Sequence, residues 1–439
     1  MKKNRNVLII TYFWPPSGGP GVQRVLKFSK YLTDFGWQPV VLTVENGDFP
    51  NYDYSLMKEV PERLPVYKTK TIEPYNIFRF LTGRSKDSRI PTHVMGVKRK
   101  SSIGERVSFW IRANVFVPDA RIGWWPFAIF KGNEIIRKKK IDLLLSSGPP
   151  HTVHLIAQNL SKRLSIPWIA DFRDPWVDIA YYEDFRRSYV SRKLDQYLEK
   201  MVLRNASAIV TVSQTMINSI FKPKVVNNYY LIPNGFDPED MHNIVFESSP
   251  KFRINYIGHL WKHHRPEVFF QSIAQLIRKN SRFEQDVMMT FVGSLHDSAE
   301  EMIKSYNLSN YITRLGYLPH REAFKYMVNS EILYLPILHD RKYHLTGKLF
   351  EYIAARTFIL GIGQPEGDAA KILEETECGI MIDHSDFRLV EQMIEKRYDQ
   401  WKVDSKSRAG KIDKIKMYDR RNLTKNLSEV FDIVYENKR

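Results

Sequence analysis

The chain has 439 residues, 43% hydrophobic and 26% charged, the composition of a globular protein too long for a single core. One cysteine, Cys378, excludes an internal disulfide framework and suits a reducing cytoplasm, and no apolar run approaches the roughly 18 residues of a membrane span. Residues 1–230 carry 36 Lys and Arg against 19 Asp and Glu, whereas 231–439 carry 30 of each, so the whole net charge of +17 sits in one half and implies a polyanionic partner there.

The start, "MKKNRNVLIITYFWPP", imitates a signal peptide. Its apolar run is short and ends in "PPSGG" without a cleavage site, so it reads as a first buried strand. "GVQRVLKFSKYLTDFG" follows with helical spacing of Val22, Val25, Leu26, Phe28 and Leu32, then "QPVVLTV" as a second strand. Residues 48–123 break this rhythm and read as a basic, aromatic insertion with some helix. "IDLLLSSG", "PWIADF" and "ASAIVTVS" resume the alternation. A turn-rich link, "YYLIPNGFDPED", precedes a second series: "KFRINYIG", "VMMTFVG", "ITRLGYL", "EILYLPIL", "TFILGIG" and "CGIMID". The tail from 404 reads as helices. The pattern predicts an α/β protein with two doubly wound, Rossmann-like halves.

Three stretches carry candidate chemistry. In "WPPSGGPGVQR", Gly18, Gly19 and Gly21 lie between strand and helix, where backbone N–H groups can meet an anion. The dinucleotide fingerprint fails there, because Arg24 stands in the third glycine's place. In "PWIADFRDPW", Asp171, Arg173 and Asp174 follow a strand at the carboxyl end of a sheet, where open α/β folds place ligands. An Asp–Arg pair closing the loop is the plainer alternative. "SSGPPHTVH" adds Ser147, His151 and His154 nearby, the histidines having no metal-ligand partners at useful spacing and helix capping or packing as their default role.

The third stretch is "HLTGKLFEYIAARTFILGIG". A P-loop needs glycine five residues before Gly347, where Lys342 stands, and Ser or Thr where Leu349 stands, so that reading fails. What remains is a helix N-terminus with Thr346 as cap, Gly347 and Lys348, suited to a phosphate or diphosphate. Glu351, one turn in, suits the hydroxyls of a ribose; a simple Lys348–Glu351 ion pair is the alternative. "YIGHLWKHHRPE" contributes His259, Lys262 and Arg265, and "LGYLPHREAF" offers backbone around Gly316, Tyr317 and Leu318 for a flat base.

Taken together, these motifs resemble the family 4 glycosyltransferases, retaining enzymes of the GT-B fold. The resemblance runs over nearly the whole chain through "PPSGGPGVQR", "IPWIADFRDPW", "ASAIVTVS", "IPNGFD", "LGYLPHREAFKYM" and "GKLFEYIAARTFIL", in that order. "IPWIADFRDPW" is similar to a subgroup form in bacterial surface-polysaccharide transferases. The resemblance implies two Rossmann-like domains facing each other across a cleft: residues 1–232 for the acceptor, 233–415 for the donor, and a helix over 416–439 crossing back to the first. It implies that Lys348 and Arg265 meet the donor diphosphate, Glu351 the ribose, and Gly316–Leu318 the base, with His259, Thr346 and Gly347 beside them. Gly18, Gly19 and Gly21 approach from the other domain. Arg173, with Asp174 beside it, stands where many relatives keep a histidine near the reacting sugar; Ser147, His151 and Asp171 lie on the acceptor side. Two departures concern the donor: Tyr343 stands where the family's first glutamate is usual, and His259 where arginine is frequent.

The expected activity is transfer of a sugar from a UDP- or GDP-linked donor to a glycan or polyprenyl-diphosphate-linked acceptor in surface-polysaccharide synthesis. No metal and no cofactor are expected. The basic, aromatic runs "RFLTGRSK", "VKRKSSIGERVSFWIRANVF", "RIGWWPFAIF" and "IRKKK" suit an anionic membrane surface, which predicts a cytoplasmic, peripheral inner-membrane enzyme. A solvated basic face with buried aromatics is the alternative. Nucleic acid is not expected, since no reading motif accompanies the charge. The rival functions are a nucleotide-sugar epimerase of the same fold and a non-catalytic sugar-nucleotide or lipid-binding relative.

Overall fold

Runs of apolar residues only four to eight long suit strands covered on both faces, as parallel strands must be. In a computed structural model, which describes residues 5–73, 110–111, 114–178, 187–405 and 407–438, these runs form two all-parallel sheets. The chain divides into two units, Met1–Pro233 with Leu423–Arg439, and Asn234–Asn422.

The first unit holds β1 (Arg5–Ile10), β2 (Trp37–Val44), β3 (Val66–Thr69), β4 (Leu143–Gly148), β5 (Trp168–Phe172), β6 (Ala208–Thr211) and β7 (Tyr229–Leu231), ordered 3-2-1-4-5-6-7. Helices α1 (Pro20–Tyr31), α2 (Trp125–Lys139), α3 (Thr152–Leu164) and α4 (Tyr189–Asn205) supply the crossovers. The C-terminal helix, Arg420–Glu436, also packs on this unit. Its Leu423, Leu427, Val430, Phe431 and Val434 recur at helical spacing and join the core around Val7, Ile9 and Trp37. Asp432 fastens it, accepting from Arg5 Nη1 at 2.7 Å and from Trp37 Nε1 at 3.1 Å.

β3 ("VYKT") lies within the stretch expected to be an insertion, and β7 ("YYL") within the stretch read as a link. Both are edge strands with one neighbour, so neither carries the continuous apolar run of the buried strands.

The second unit holds β8 (Phe252–Ile257), β9 (Val287–Val292), β10 (Ile312–Gly316), β11 (Ile332–Pro336), β12 (Phe358–Ile362) and β13 (Gly379–Ile382), ordered 10-9-8-11-12-13. Its helices include α5 (Glu267–Lys279), α6 (Asp297–Ser305), α7 (His320–Val328), α8 (Gly347–Ala354), α9 (Asp368–Thr376) and α10 (Phe387–Val403). Two clusters cover the sheet. One gathers Phe269, Ile273, Phe283 and Tyr398; the other gathers Phe324, Leu349, Phe350, Ile353 and Leu373.

In each sheet the strand order reverses once, between β1 and β4 and between β8 and β11. Such a switch point leaves a crevice outside the carboxyl ends of the strands, because the two following connections run to opposite faces. The glycine loop after β1 and the "SSGPP" loop after β4 flank the first. The "GHLWKHHR" loop after β8 and the loop leading from β11 into α8 flank the second.

Candidate functional site

At the second switch point the backbone is drawn close. Gly258 follows β8 with φ 124°, and Gly293 follows β9 with φ 119°. A Cβ on Gly258 would collide with the end of the Lys348 side chain, and one on Gly293 with the Gly258 carbonyl. Glycine is needed at both by space as well as by φ.

Lys348, in the first turn of α8, therefore reaches back over β8. Its Nζ donates to Tyr256 Oη at 2.8 Å and lies 4.6 Å from the centre of that ring. Burial pulls its ammonium down to about 8, against a smaller opposite pull from Glu351. Glu351 turns elsewhere, with Oε1 3.0 Å from His320 Nε2 at the start of α7. Cation and anion share a helix face yet have separate partners.

Thr346 occupies the N-cap position with extended backbone, but its hydroxyl makes no capping bond, unlike the cap expected from the sequence. Its Oγ1 is buried without a hydrogen-bond partner. The first amides of α8 thus open toward a polar side chain and an ammonium that all suit phosphate oxygens.

Histidines crowd this edge. Burial, then Lys348 and neighbouring imidazoles, hold His264 down at about 3; burial, then Arg341 and Lys348, hold His344 at about 4. Both are neutral at pH 7, so the positive charge acting on this edge comes from Lys348 and Arg341, while Arg265 is exposed in the loop after β8. His259 bonds Ser294 through Nδ1 and stands edge-on to Trp261 at 4.0 Å. Gly316 and Tyr317 are exposed just before α7, with Leu318 half-buried beside them. Tyr343 accepts from Arg341 Nη1 at 2.9 Å. Tyr256, Gly293, His264 and His320 were not singled out from the sequence. The only signal for Gly293 was that "VMMTFVG" ends, like "YIG", in a strand-terminal glycine.

At the first switch point Asp171 is wholly buried and pairs with Arg24 rather than with Arg173. Arg24 Nη2 lies 2.9 Å from Oδ1 and Nε 3.1 Å from Oδ2. Ser147 Oγ donates to Oδ2 at 2.7 Å, and Arg24 also donates to the carbonyls of Ile232 and Pro233, each at 2.8 Å. The arginine that broke the dinucleotide fingerprint ties α1 to β5 and to the Ile232–Pro233 segment, and Asp171 in turn is bonded by Ser147 of β4.

Arg173 folds back instead. Its Nε donates to the Gly148 carbonyl at 3.0 Å and its Nη2 to that of Pro149, and its guanidinium lies where a Cβ on Gly21 would stand. Asp174 is exposed beside it, and Gly18 and Gly19 complete the loop before α1. His151 is buried and stacked on Trp176 at 4.7 Å; His154 stacks on Phe172 at 4.4 Å and bonds Ser146 Oγ at 2.8 Å. Burial holds both imidazoles neutral.

Of the basic, aromatic runs, "RFLTGRSK" and most of "VKRKSSIGERVSFWIRANVF" lie outside the described residues. In "RIGWWPFAIF", Trp124 is buried with Nε1 donating to Thr69 Oγ1 at 2.7 Å, while Phe130 is exposed. Arg137, Lys138 and Lys139 of "IRKKK" fall in the last turn of α2, where cations complement the helix dipole. Among the described residues, no helix is long and apolar enough to cross a membrane, and no group of three or more His, Cys, Asp or Glu is placed to hold a metal ion.

Residues 21–240 match the family model of Glycosyltransferase Family 4. No curated protein sequence matches the chain. Among solved structures, sucrose-phosphate synthase from Thermosynechococcus elongatus is similar over 99% of this chain and 100% of its own, at 12% identity and TM-score 0.64. S. aureus TarM, as a mutant in complex with fondaparinux, alpha-GlcNAc-glycerol and UDP, is similar over 99% of each chain at 10% identity and TM-score 0.55. A UDP-N-acetylglucosamine 2-epimerase from Listeria monocytogenes, so described provisionally, matches over 99% of this chain and 97% of its own, at 9% identity and TM-score 0.55. The two parallel-sheet units have the GT-B fold.

Proposed function

The chain belongs to glycosyltransferase family 4, and on that premise we propose that it is a retaining, metal-independent hexosyltransferase using a UDP- or GDP-linked sugar. The observation that carries this reading is the start of α8, where Lys348 carries a buried ammonium bonded to Tyr256 and the buried Thr346 hydroxyl has no partner. Arg265 is the second cation for the diphosphate, Glu351 receives the ribose, and the Gly316–Leu318 backbone the base.

Transfer breaks the bond between the sugar's anomeric carbon and the diphosphate oxygen. It forms a bond from that carbon to the acceptor hydroxyl oxygen on the same face, and the hydroxyl proton passes to the departing diphosphate. Such a step needs no protein nucleophile. It needs positioning and stabilisation of the leaving group's negative charge, which Lys348, Arg265 and the helix N-terminus are suited to supply. Arg173 and Asp174 are the groups proposed beside the reacting sugar.

The acceptor is a glycan or a polyprenyl-diphosphate-linked glycan of a cell-surface polysaccharide, met at the inner face of the cytoplasmic membrane. The net charge of +17 in residues 1–230 supports the anionic surface in that proposal.

The test is a thermal-shift panel of UDP, GDP, ADP and their sugars on wild type and Glu351→Ala, followed by transfer assays with EDTA present. A ligand at a hundredfold excess over its Kd adds about 2.7 kcal/mol to stability. Stabilisation by one base class, lost in the variant, is expected; stabilisation by none sinks the reading. The GT-B fold also houses epimerases, and product formed without any acceptor would transfer the chain to that class.

A further inference from the structure

We propose that the loop after β2 is a sugar-stacking platform, where the rings of Tyr52 and Tyr54 receive the apolar face of a neutral glycan residue. In naming that glycan the acceptor, the inference rests on the transferase reading above.

The two rings stack at 6.1 Å and 16°, and they are 53% and 69% exposed. Both residues thus present aromatic surface to solvent side by side, with their ring planes nearly parallel. The surface is held from beneath: Phe49 packs edge-on to Tyr52 at 5.6 Å and to Tyr12 at 6.2 Å, and lies 6.3 Å from Phe13. The backbone is sewn to the glycine loop of the first switch point. Ser17 and Tyr52 form an antiparallel bridge, Gly18 N donates to the Asn51 carbonyl at 3.0 Å, and Asp53 N donates to the Pro16 carbonyl at 2.8 Å. Two rigid aromatic faces thus stand beside the loop where a ligand of this unit is expected, and such pre-ordering lowers the entropy lost on binding.

Local charge selects the ligand. In a chain of net +17, residues 45–57 carry three carboxylates, Glu45, Asp48 and Asp53, and neither Lys nor Arg. Of these, Asp48 and Asp53 lie at the start of the stretch read as basic, where residues 48–57 hold no Lys or Arg. The loop that carries the two rings lacks the clustered Lys and Arg that serve an anionic lipid surface. A neutral sugar fits both features: its C–H face lies on the electron-rich ring faces, and its hydroxyls donate to carboxylates.

Saturation-transfer NMR on the full chain tests this with the methyl glycosides of glucose, galactose, mannose, N-acetylglucosamine and rhamnose. At least one is expected to bind. Binding should weaken by roughly tenfold in the Tyr52→Ala/Tyr54→Ala double variant and persist in the double Phe variant, which keeps the rings. No signal from any of the five overturns the proposal, as does binding that the Ala variant leaves unchanged. If instead the wild type binds phosphatidylglycerol vesicles through these tyrosines and no glycoside, the patch is a membrane contact and the proposal fails. A parallel UDP and GDP thermal shift separates the two readings. Nucleotide stabilisation without glycoside binding removes the platform alone, and glycoside binding without nucleotide stabilisation removes the donor site alone.

Discussion

Lys348 reaches Tyr256 only because residue 258 is a glycine: the aminobutyl end of the lysine fills the space a Cβ there would take. Gly258→Ala is therefore expected to displace the ammonium from the mouth of α8 as well as to strain a backbone held at φ 124°. The strain alone costs on the order of 1–3 kcal/mol. Chemical denaturation should show that loss, and titration with UDP or GDP should show affinity falling by more than the stability loss explains. Unchanged nucleotide affinity in a folded variant would remove Lys348 from the site.

If Lys348 meets the donor diphosphate as proposed, its ammonium, lowered by burial to about 8, sets the sign of the pH dependence of donor binding. A diphosphate favours the charged form, so binding above this value requires proton uptake. Affinity should be flat from pH 6 to 7.5 and decline by up to about tenfold per unit above pH 8. Isothermal titration of the nucleoside diphosphate across that range checks it, and Lys348→Arg should flatten the limb. The unliganded protein shows the opposite face of the same effect. A lysine whose folded value lies below its unfolded one destabilises the fold while charged, so Lys348→Met should melt higher at pH 7 yet lose the nucleotide shift.

Glu351 bonds His320 rather than Lys348, so in the proposed donor site its role at the ribose can be tested apart from that of Lys348 at the diphosphate. Glu351→Gln should weaken UDP or GDP by roughly tenfold, the worth of a charged hydrogen bond, while leaving inorganic pyrophosphate binding nearly unaltered. Equal losses for both ligands would mean that Glu351 acts by holding α7 against α8.

Asp171 is committed to Arg24 and Ser147 with no exposed surface. Removing one partner of a buried ion pair leaves the other uncompensated, at a cost of about 3–5 kcal/mol. Asp171→Ala should lower the melting temperature by several degrees and be restored in part by pairing it with Arg24→Met. A fully stable Asp171→Ala protein with lost transfer activity would instead place Asp171 at the reacting groups.

The alternation of short apolar strands with amphipathic helices was legible along the chain, because a parallel sheet covered on both faces leaves continuous apolar runs in its central strands. β1, β2 and β11 are of this kind. So was the mouth of α8: a helix start with Thr346, Gly347 and Lys348 is a local feature, written within one turn. β3 and β7 were not, since an edge strand has one neighbour and little need of an apolar run. The pairings that shape the sites were equally invisible. Arg24 meets Asp171 across 147 positions and Lys348 meets Tyr256 across 92. The aromatic loop was hidden within a stretch whose average charge is basic. Local pattern determined the elements and named the candidate anion-binding helix; which ion pairs are structural, which glycines make room and which tyrosines stand uncovered was decided by strand order, which brings distant loops to one edge of a sheet.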